Sequence, residues 1–578
     1  MNSKLLKLSF LFFVSQLFCK EQITNKQFAN EKSTLVKRGE QQLILTKRQT
    51  CDLELILNGG FAPLQGFLCQ NDYDNVVNKM RLADGQLWPM PITLDVSKEN
   101  ADKLTIGCQI VLKGEEWHQL GILEVEDIYK PNKTIEAQKV FGTTDVFHPG
   151  VNYLMNETKE YYVGGKVKKI SLPKYYDFNE IRKTPDELKQ YFKDKGYTKV
   201  VAFQTRNPMH RAHLELTLRA SKMIDGHLLI HPAVGLTKPG DVDHFTRVKC
   251  YKKLLNYFPE GKVTLSLLPI SMRMAGPREA VWHALIRKNY GATHFIVGRD
   301  HAGPGKDKSG KDFYGSYEAQ QLAKQYESEL GISIVPFNEM VYVEEHKQYY
   351  PVDEVPSNSK VLNISGTQLR QMLQEGKSIP AWFSFPEVVK ELRKSYPLKS
   401  KQGFTIFFTG LPSSGKSTIA NALAIKLTEI QNRQITILDG DHVRTNLSSE
   451  LTFSKEHRSL NIRRIGFVAN EISKNGGIAI CAPIAPFEKD RIYNRNLINS
   501  NGYYLEVYVS TPVEVCEQRD VKGLYAKAKA GLMQGFTGVN DPYEEPKNPE
   551  LSIDTSKASV EQSVDMIINN LKKGGYLK

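Results

Sequence analysis

The 578-residue sequence has few cysteines, no clustered basic residues and no long apolar run. Its seven cysteines are scattered, odd in number and form no CxxC pair. This excludes a disulfide scaffold and predicts buried thiols in a reducing compartment. No run of Lys or Arg exceeds two residues, which argues against a nucleic-acid arm or a polybasic membrane tail. No stretch approaches the ~18 consecutive apolar residues of a transmembrane helix, so we expect no stable membrane insertion.

What is present is the composition of a multidomain globular protein. Apolar residues make up 40% and charged residues 24% of the chain, which excludes collagen-like and disordered classes. At ~100–200 residues per domain, the length predicts about three or four domains. Lys plus Arg number 77 and Asp plus Glu 64, and the formal charge of +13 favours anionic partners.

The N-terminus carries a short apolar segment, residues 8–14, after lysines at positions 4 and 7. It is similar to the hydrophobic region of a signal peptide and is too short to span a bilayer. Because an A-x-A cleavage pattern is missing, a cleaved targeting or signal peptide and an irrelevant extension both stay open. We assign residues 1–30 to a leader or targeting extension and expect a soluble mature protein that is cytoplasmic or organellar.

Up to about residue 393, two successive patterns of apolar runs indicate two domains. Residues 51–173 carry short apolar runs separated by turn residues, at 91–96, 109–112 and 121–125. This predicts a compact, mostly β domain. From about residue 185, apolar runs alternate with helical stretches. The runs lie at 200–203, 227–230, 263–268 and 294–297, and the helical stretches at 211–225, 245–257 and 277–289. This alternation predicts a doubly wound parallel sheet.

The strongest single motif is a glycine-rich loop, GLPSSGKS at residues 410–417. It follows a polar, linker-like stretch and the apolar run 404–408, and it precedes a helical stretch at 418–426. The motif therefore matches GxxxxGK[ST] in the strand–loop–helix context that makes the match meaningful. Backbone N–H groups of the loop would surround nucleotide phosphates, and the positive end of the helix dipole would favour their negative charge. Lys416 would reach the β/γ-phosphates and Ser417 a Mg²⁺ ion, whereas a glycine-rich turn without function is the disfavoured alternative.

Two carboxylates follow the next predicted strand, residues 436–438. Asp439 and Asp441 would lie beside the phosphate loop, where a carboxylate can accept a hydroxyl proton or orient Mg²⁺. Arg444 adds a fork for an anionic acceptor. Two isolated carboxylates are often part of a solvated loop without function. The position of Asp439 and Asp441 beside the phosphate loop favours a function.

Residues 403 to about 568 resemble the adenylylsulfate (APS) kinase family, in the phosphate loop, in residues 438–441 and in the stretches 519–525, 535–538 and 541–544. The family transfers the γ-phosphate of MgATP to the 3′-hydroxyl of APS and makes PAPS. The resemblance implies a P-loop kinase α/β domain in which Asp441 is the general base. It implies ATP binding by Gly410, Leu411, Pro412, Ser413, Ser414, Gly415, Lys416, Ser417 and Thr418. It implies APS binding by Asp441, Arg444, Arg458, Asn461, Lys522 and Phe536, with Phe536 stacking on the adenine.

One residue departs from that family's pattern. Many APS kinases carry Ile-Ser-Pro, whose serine is a candidate phospho-intermediate, and this chain has Ala485 between Ile484 and Pro486. A phosphoserine cannot form there, and direct in-line transfer does not need one.

A second polar constellation follows the predicted strand 200–203. Arg206 can grip a tetrahedral oxyanion bidentately, and Gln204 can donate a further hydrogen bond. His210 and His213, three residues apart on a first helical turn, can brace the phosphates of a bent nucleotide. The alternatives are a zinc pair, which lacks the usual i, i+4 spacing, and satisfied core histidines. Farther on, residues 298–305 form a glycine-rich loop after the strand 294–297 that permits close approach to phosphate.

With these segments, residues 43–386 resemble the ATP sulfurylase (sulfate adenylyltransferase) family, which joins sulfate to the α-phosphorus of MgATP and expels pyrophosphate. The resemblance implies a PUA-like β domain followed by a Rossmann-like nucleotidyltransferase domain. It implies sulfate binding by Gln204, Arg206 and Ala302. It implies ATP binding by Gln204, Thr205, Arg206, Asn207, Gly298, Arg299, Asp300, His301 and Met340. It implies that Thr205, Arg206 and Asn207 are catalytic and that His210 and His213 stabilise the transition state.

Together the two resemblances predict a multidomain α/β enzyme that makes APS and then PAPS. The expected domains are PUA-like (31–173), sulfurylase catalytic (174–393), linker (394–402) and kinase (403–578). The expected cofactor is Mg²⁺, the expected partners are ATP, sulfate, adenylylsulfate and PAPS, and we expect a homo-oligomer.

Two other functions have some support in the sequence. Fungal sulfurylases end in a degenerate kinase-like module that binds PAPS and regulates allosterically, and the surroundings of Ala485 look similar to that group. Such modules have decayed phosphate loops, however, whereas Lys416, Ser417, Asp439 and Asp441 are intact here. A nucleic-acid-binding protein, suggested by the pI of 9.1, is disfavoured because basic residues are not clustered.

Overall fold

The computed structural model describes residues 41–533 and 535–578, whose contacts divide into two compact units. Within that part of the chain, unit 1 contains residues 41–247 and 254–360, and unit 2 contains residues 248–253 and 361–578. The leader prediction for residues 1–30 lies outside the described residues. The expected domain bounds stay predictions.

The first part of unit 1 is built on a largely antiparallel sheet. Its strands are β1 (Gln41–Ile44), β2 (Gly66–Phe67), β3 (Leu94–Val96), β4 (Gln109–Lys113), β5 (Gln119–Glu124), β6 (Asp127–Tyr129) and β7 (Tyr161–Lys169). The order is β1-β4-β5-β7-β2, and β3 and β6 also pair with β7. The sequence prediction of a mostly β domain is confirmed for the sheet.

Helices lie between these strands, which the strand-based prediction did not include. They are α1 (Lys47–Leu57), α2 (Gln70–Lys79), α3 (Lys98–Ala101), α4 (Lys133–Val140) and α5 (Pro149–Asn152), followed by the π-helical turn Tyr153–Glu157. Several begin at a side chain that accepts a hydrogen bond from a free backbone N–H. Thr46 accepts from the Gln49 N–H in a capping box, and Ser97 accepts from the Asn100 N–H. Short capped helices carry little periodic signal, so apolar alternation alone does not predict them.

The second part of unit 1 is a parallel sheet with helices between its strands. The strands are β8 (Val200–Phe203), β9 (His227–Ile230), β10 (Val263–Leu265), β11 (His294–Val297) and β12 (Ser333–Pro336), and a hairpin of β13 (Met340–Val343) and β14 (Gln348–Pro351) follows. The helices are α6 (Pro185–Asp194), α7 (Arg211–Ile224), α8 (His244–Leu254), α9 (Gly276–Asn289), α10 (Glu318–Gln325) and α11 (Glu327–Leu330), with 3-10 turns at Asn179–Ile181, Leu255–Tyr257 and Val352–Glu354. Residues 248–253 of α8 are grouped with unit 2. The strand order β10-β9-β8-β11-β12 is doubly wound, as predicted.

The two sheets of unit 1 share one apolar core. Phe61 packs against Trp88 and Trp282, with ring centroids 5.7 and 5.3 Å apart. All three side chains are buried, and Trp282 lies on α9. The contact between these rings anchors α9, which precedes β11, to the first part of the unit.

Unit 2 contains a second parallel sheet. Its strands are β15 (Val361–Leu362), β16 (Phe404–Gly410), β17 (Ile435–Asp439), β18 (Ile478–Ala482), β19 (Tyr503–Val509) and β20 (Leu551–Ile553), of which β16 to β20 form the sheet in the order β17-β18-β16-β19-β20. The helices are α12 (Gly366–Glu375), α13 (Pro386–Ser395), α14 (Lys416–Ile430), α15 (Gly440–Asn446), α16 (Lys455–Lys474), α17 (Glu488–Asn499), α18 (Val513–Arg519), α19 (Leu524–Lys529) and α20 (Val560–Lys573), and a 3-10 turn lies at Lys399–Lys401.

The central strand β16 explains why this sheet is covered on both faces. Phe404, Ile406 and Phe408 pack into one buried cluster, and Phe407 packs into another. Successive side chains of a strand point to opposite faces, so both faces of β16 are buried. Packing on both faces therefore fixes the position of the C-terminal end of β16, at Gly410.

Candidate functional site

In unit 1, the polar segments predicted from the sequence meet at the point where the strand order reverses. Residues 204–207 follow β8 and residues 298–301 follow β11. The two strands are parallel neighbours, with Ile296 opposite Phe203. Because the outer strands lie on either side of this pair, a crevice opens at its carboxyl edge, where doubly wound sheets bind ligands.

Arg206 is held by a partner that the sequence reasoning missed. Its Nη1 donates to both carboxylate oxygens of Asp241, at 2.6 and 2.7 Å, and its Nη2 lies 3.3 Å from the Gly303 carbonyl oxygen. The side chains of Arg206 and Asp241 are only 18% and 11% exposed. The structure thus brings Arg206 to Gly303, the residue after Ala302, and a carboxylate occupies one nitrogen of the guanidinium.

The rest of the first segment forms a tight turn. The Thr205 hydroxyl donates to the Asn207 carbonyl at 3.0 Å and accepts from the Asn207 N–H at 3.1 Å. Gln204 is buried, its Nε2 lies 3.6 Å from the Met272 sulfur, and its Oε1 has no hydrogen-bond partner among the described residues. Thr205 therefore orders the turn, while Gln204 has unused hydrogen-bonding capacity.

His210 and His213 come together at the start of α7. The His210 backbone N–H donates to His213 Nδ1 at 3.2 Å, and the two rings are 6.1 Å apart. Burial, and then the neighbouring His213, lower the pKa of His210 to about 3, and burial lowers the pKa of His213 to about 4. Both imidazoles are therefore neutral at pH 7, and His213 carries its proton on Nε2. They can serve a phosphate as N–H donors rather than as cations.

The second segment has a strained backbone. Asp300 and Ala302 both have positive φ, 50° and 55°, which non-glycine residues rarely adopt. The Asp300 N–H donates to the Ser316 carbonyl at 2.8 Å, and burial, followed by the Asp312 charge, raises the Asp300 pKa. Backbone strain of this kind concentrates at functional sites.

The remaining predicted residues of this segment are also near one another. Arg299 pairs with Glu339 at 3.6 Å, and Glu339 directly precedes the buried Met340 at the start of β13. His301 Nε2 lies 3.0 Å from Nδ1 of His283, a residue that sequence reasoning did not select. Gly298 begins the segment directly after β11.

In unit 2, the glycine-rich loop joins β16 to α14, with its lysine inside. Lys416 Nζ donates to the carbonyl oxygens of Gly410 and Leu411, at 2.9 and 2.6 Å. Lys416 is 7% exposed, and burial lowers its pKa to about 8. Gly410 and Gly415 have φ of 148° and 103°, which explains the glycines at these positions. The ammonium thus lies where the loop would wrap a phosphate.

Residues outside the motif hold this loop in place. The Ser414 carbonyl accepts hydrogen bonds from the hydroxyls of Thr511 and Thr555, at 3.1 and 2.9 Å. The Tyr525 hydroxyl donates to the Pro412 carbonyl at 3.1 Å. Ser413 has a φ of 59°, and Thr418 lies in the first turn of α14. Nothing in the motif itself identifies these outer partners.

Ser417 and Asp439 form the pair that the Mg²⁺ prediction needs. The Ser417 hydroxyl donates to Asp439 Oδ2 at 2.7 Å, and Asp439 Oδ1 accepts from the Asp441 N–H at 3.0 Å. A hydroxyl and a carboxylate beside a phosphate loop are oxygen donors that Mg²⁺ prefers. The residues present therefore fit a Mg²⁺ ion bound together with nucleotide phosphates. Across residues 41–533 and 535–578, no group of three or more His, Cys, Asp or Glu side chains is placed to hold a metal ion.

The residues predicted to bind APS fall into two groups. Asp441 forms an ion pair with Lys522, and both side chains are exposed. Arg458 forms an ion pair with Asp541 and donates to the Thr537 hydroxyl at 3.1 Å. These contacts tie residues distant in sequence to the edge of the sheet that carries the phosphate loop.

The other three predicted APS residues differ in exposure. Arg444 donates to the Thr452 carbonyl at 3.2 Å and lies 4.2 Å from the centre of the Phe453 ring. Asn461 is buried with its Oδ1 unpartnered among the described residues. Phe536 is only 7% exposed and packs edge-on against Tyr525, whereas Phe453 is 67% exposed. The exposed aromatic face in this region therefore belongs to Phe453, which sequence reasoning did not assign to the site.

Comparisons with known proteins show which families the successive parts of the chain match. Family models match a PUA-like domain at residues 18–172, ATP-sulfurylase at 179–395 and adenylylsulphate kinase at 402–554. The chain is similar to the sulfate adenylyltransferase of Neurospora crassa, with 54% identity over 93% of this chain and 94% of that protein. It is similar to the sulfate adenylyltransferase of Yarrowia lipolytica, with 52% identity over 97% and 98%. A solved structure, the hexameric APS kinase from Thiobacillus denitrificans, matches with a TM-score of 0.76 and 34% identity over 93% of this chain and 94% of that one.

Proposed function

The chain belongs to the sulfate adenylyltransferase (ATP sulfurylase) family, and we propose that it activates sulfate in two steps within one polypeptide. Unit 1 makes adenylylsulfate and pyrophosphate from ATP and sulfate. Unit 2 then phosphorylates the 3′-hydroxyl of adenylylsulfate to give PAPS. The observation that carries the second step is the intact phosphate loop, with Lys416 inside it and Ser417 bonded to Asp439.

In the first step, a sulfate oxygen forms a bond to the α-phosphorus of ATP. The bond from that phosphorus to the pyrophosphate oxygen breaks, and pyrophosphate leaves with the electron pair. The Arg206 guanidinium can donate to a tetrahedral oxyanion, and the buried Gln204 can add a hydrogen bond. Because the Asp241 carboxylate accepts from Nη1, that contact must open before Nη1 can donate to sulfate.

The histidines of α7 act on charge that develops in this step. His210 and His213 are neutral, so they stabilise the phosphate oxygens as hydrogen-bond donors. Preorganised donors of this kind need no reorganisation as the pentacoordinate transition state forms. Thr205 and Asn207 keep the turn that carries Arg206 in its conformation.

In the second step, Asp441 accepts the proton of the 3′-hydroxyl, and that oxygen forms a bond to the γ-phosphorus of ATP. The bond from the γ-phosphorus to the β,γ-bridging oxygen breaks, and ADP leaves with the electron pair. Lys416 stabilises charge on the transferred group, and Lys522 orients Asp441 or an anionic part of APS. Ser417 and Asp439 would hold Mg²⁺, which supplies neutralisation of phosphate charge when bound. Ala485 is buried and has no hydroxyl, so phosphate passes directly from ATP to the acceptor.

For the adenine ring of APS, we propose Phe453 as the stacking surface together with the predicted Phe536. Phe453 is exposed, and Arg444 lies over one of its faces. Phe536 is buried against Tyr525 and would need to turn outward to stack. A Phe453→Ala variant with a raised KM for APS and an unchanged KM for ATP would support this assignment.

The two steps are coupled by their energetics. A phosphate–sulfate anhydride is a high-energy product, so the first equilibrium lies toward ATP and sulfate. Phosphorylation of APS and hydrolysis of pyrophosphate draw it forward. Two consecutive active units in one chain would serve this purpose, which is the arrangement of a bifunctional PAPS synthase.

The test is to incubate purified chain with MgATP and radiolabelled sulfate and to separate the nucleotide products. The proposal predicts labelled PAPS, with APS as an intermediate. In the alternative, unit 2 is an inactive module that binds PAPS, and APS alone would form. The Lys416→Ala variant distinguishes the two proposals further. If unit 2 is catalytic, the product changes from PAPS in wild type to APS in the variant.

The quaternary structure and location are further parts of the proposal. The relative from Thiobacillus denitrificans is described as hexameric, and we propose a homo-oligomer here, which light scattering of the purified chain would measure. No helix in the described part of the chain is long and apolar enough to cross a membrane. We propose a cytoplasmic or organellar location, and N-terminal sequencing of the natural protein would show whether the first residues are removed.

A further inference from the structure

We propose that Glu279 and His283 are positioning residues that fix the protonation pattern of His301, so that its Nδ1 is a bare acceptor for a hydrogen-bond donor on the adenosine part of ATP. The inference rests on the proposed function, in which residues 298–301 bind ATP. It adds two residues of α9 to which neither the motifs nor the family resemblance assigns a role. Their role is to act through His301 on the choice of nucleotide.

The chain of contacts begins at Glu279, which is fully buried. Its Oε1 accepts the Arg273 backbone N–H at 2.9 Å, and its Oε2 accepts the Ala275 backbone N–H at 2.8 Å. A carboxylate with a donor on each oxygen is favoured in its charged form. The pKa of Glu279 is accordingly lowered despite its burial, by the neighbouring His283 and by the hydrogen bonds from these backbone groups. Glu279 is therefore a fixed anionic acceptor one helical turn from His283.

His283 receives its proton pattern from this carboxylate. Its Nε2 lies 3.2 Å from Glu279 Oε1, and its side chain is fully buried. The two atoms are close but do not have the geometry of a hydrogen bond, and this nitrogen has no hydrogen-bond partner among the described residues. A bare Nε2 would point a lone pair at the carboxylate, so the proton resides on Nε2. Burial lowers the pKa of His283, and the buried cation Arg287 further opposes a second proton, which leaves Nδ1 bare.

The protonation of His283 then determines that of His301, which lies in the segment 298–301. His283 Nδ1 lies 3.0 Å from His301 Nε2, and a hydrogen bond between two nitrogens needs one proton. Because His283 Nδ1 is bare, His301 Nε2 must carry the proton. Burial lowers the pKa of His301 well below its ordinary value, so its other nitrogen, Nδ1, has no proton. An edge-on contact with Phe295, at 5.5 Å, holds the ring in this orientation.

A bare nitrogen selects the part of ATP that it can contact. Triphosphate oxygens carry no proton at neutral pH, so Nδ1 would repel them. The donors on ATP are the 6-amino group of adenine and the 2′- and 3′-hydroxyls of ribose. The acceptor therefore suits the adenosine part, and a hydrogen bond of this kind is worth about tenfold in affinity.

The test compares ATP with three nucleotide analogues as substrates of the sulfurylase reaction of the full chain. The reaction rate is measured by the release of pyrophosphate. Inosine triphosphate replaces the 6-amino group with a carbonyl, and 2′-deoxy-ATP and 3′-deoxy-ATP each lack one hydroxyl. For wild type, kcat/KM should fall about tenfold or more with the analogue that lacks the contacted donor. The analogue that shows this loss identifies the donor. Equal kcat/KM for ATP and all three analogues would overturn the proposal.

Variants then test whether His283 is responsible. In His283→Phe the preference for ATP over that analogue should fall to near onefold, with the KM for sulfate unchanged. His283→Asn retains a side-chain oxygen near the position of Nδ1 and should restore most of the preference. The matched control is His231→Phe, since His231 is a fully buried histidine whose ring nitrogens have no partner among the described residues. This control should keep the wild-type preference.

Two further outcomes decide against the proposal. Persistence of the preference in a folded His283→Phe chain would show that His283 does not act on nucleotide choice. If that variant does not fold, neutron diffraction from the deuterated wild-type chain gives the answer. Deuterium on Nε2 of both His283 and His301 supports the proposal, and deuterium on Nδ1 of either refutes it. Failure of wild type to form APS at all would instead refute the proposed function.

Discussion

Binding of a nucleotide to the phosphate loop of unit 2 should take up a proton. Lys416 is buried and forms no ion pair with any acidic side chain in the described part of the chain, and burial lowers its pKa to about 8 from an ordinary value of 10.5. The β/γ-phosphates would place negative charge beside its ammonium and restore the ordinary value. Since the pKa rises on binding, the affinity is greatest below pH 8 and falls as the pH rises through the pKa of the free form.

The size of the effect follows from the two pKa values. Their separation corresponds to about 3 kcal/mol, or a factor of roughly 300 in affinity across the whole range. Between pH 7 and pH 9 the affinity should fall about tenfold, because the free lysine loses most of its protons over that interval. At pH 8.5 the free lysine is protonated in about a quarter of molecules, so each binding event should take up about 0.75 proton.

Isothermal titration calorimetry of ATP in buffers of different ionisation enthalpy measures this proton uptake directly. Lys416→Met is the matched control, since it keeps the length of the side chain and removes the titrating group. The difference between wild type and this variant also cancels ATP binding by unit 1. The reasoning is refuted if wild type and Lys416→Met take up the same number of protons at pH 8.5.

Three other variants test separate parts of the account. Arg206→Ala should lower the rate of APS formation by about 10²–10³, because it removes a preorganised charge contact, while phosphorylation of supplied APS stays near the wild-type rate; near-normal APS formation would remove the assigned role. Asp441→Asn should lower the rate of PAPS formation by about 10²–10⁴ through loss of the general base, with ATP affinity in unit 2 retained in calorimetry; an unchanged rate would exclude Asp441 as the base. Asp52→Asn should destabilise unit 1 by about 3 kcal/mol, since it leaves Arg273, 2.6 Å away, as an unpaired buried cation, and a urea titration followed by tryptophan fluorescence would measure the loss. A denaturation midpoint equal to that of wild type would show that solvent or another anion compensates.

The parallel strands were predictable because their sequence signals are local. β8, β9 and β11 have the bounds that the apolar runs predict, since each run is short, buried and bounded by polar residues. The phosphate loop was predictable for the same reason, because the strand, the glycines and the helix are contiguous. The strand predicted at 263–268 ends at Leu265, where the chain leaves the sheet although the sequence stays apolar.

Contacts between distant segments were not predictable from one sequence. Asp241 lies 35 positions from Arg206, and an Asp in a Gly-rich loop carries no signal of its partner. The family resemblance implies that Phe536 stacks on adenine, whereas the structure buries it against Tyr525. Glu279 and His283 have the i, i+4 spacing of an ordinary helix pair, and only the fold brings His301 to the same place. Ion pairing and burial depend on tertiary structure, which a local pattern does not contain.

The measurement that tests the central claim most directly is transfer of the γ-phosphate to APS by the full chain. Wild type and Lys416→Met are supplied with APS and γ-³²P-labelled MgATP at saturating concentrations, and the nucleotides are separated and counted. The account predicts that wild type forms PAPS labelled at the 3′-phosphate and that Lys416→Met forms it at least about 10²-fold more slowly. If wild type forms no labelled PAPS, unit 2 is not a kinase, and the two-step function is wrong.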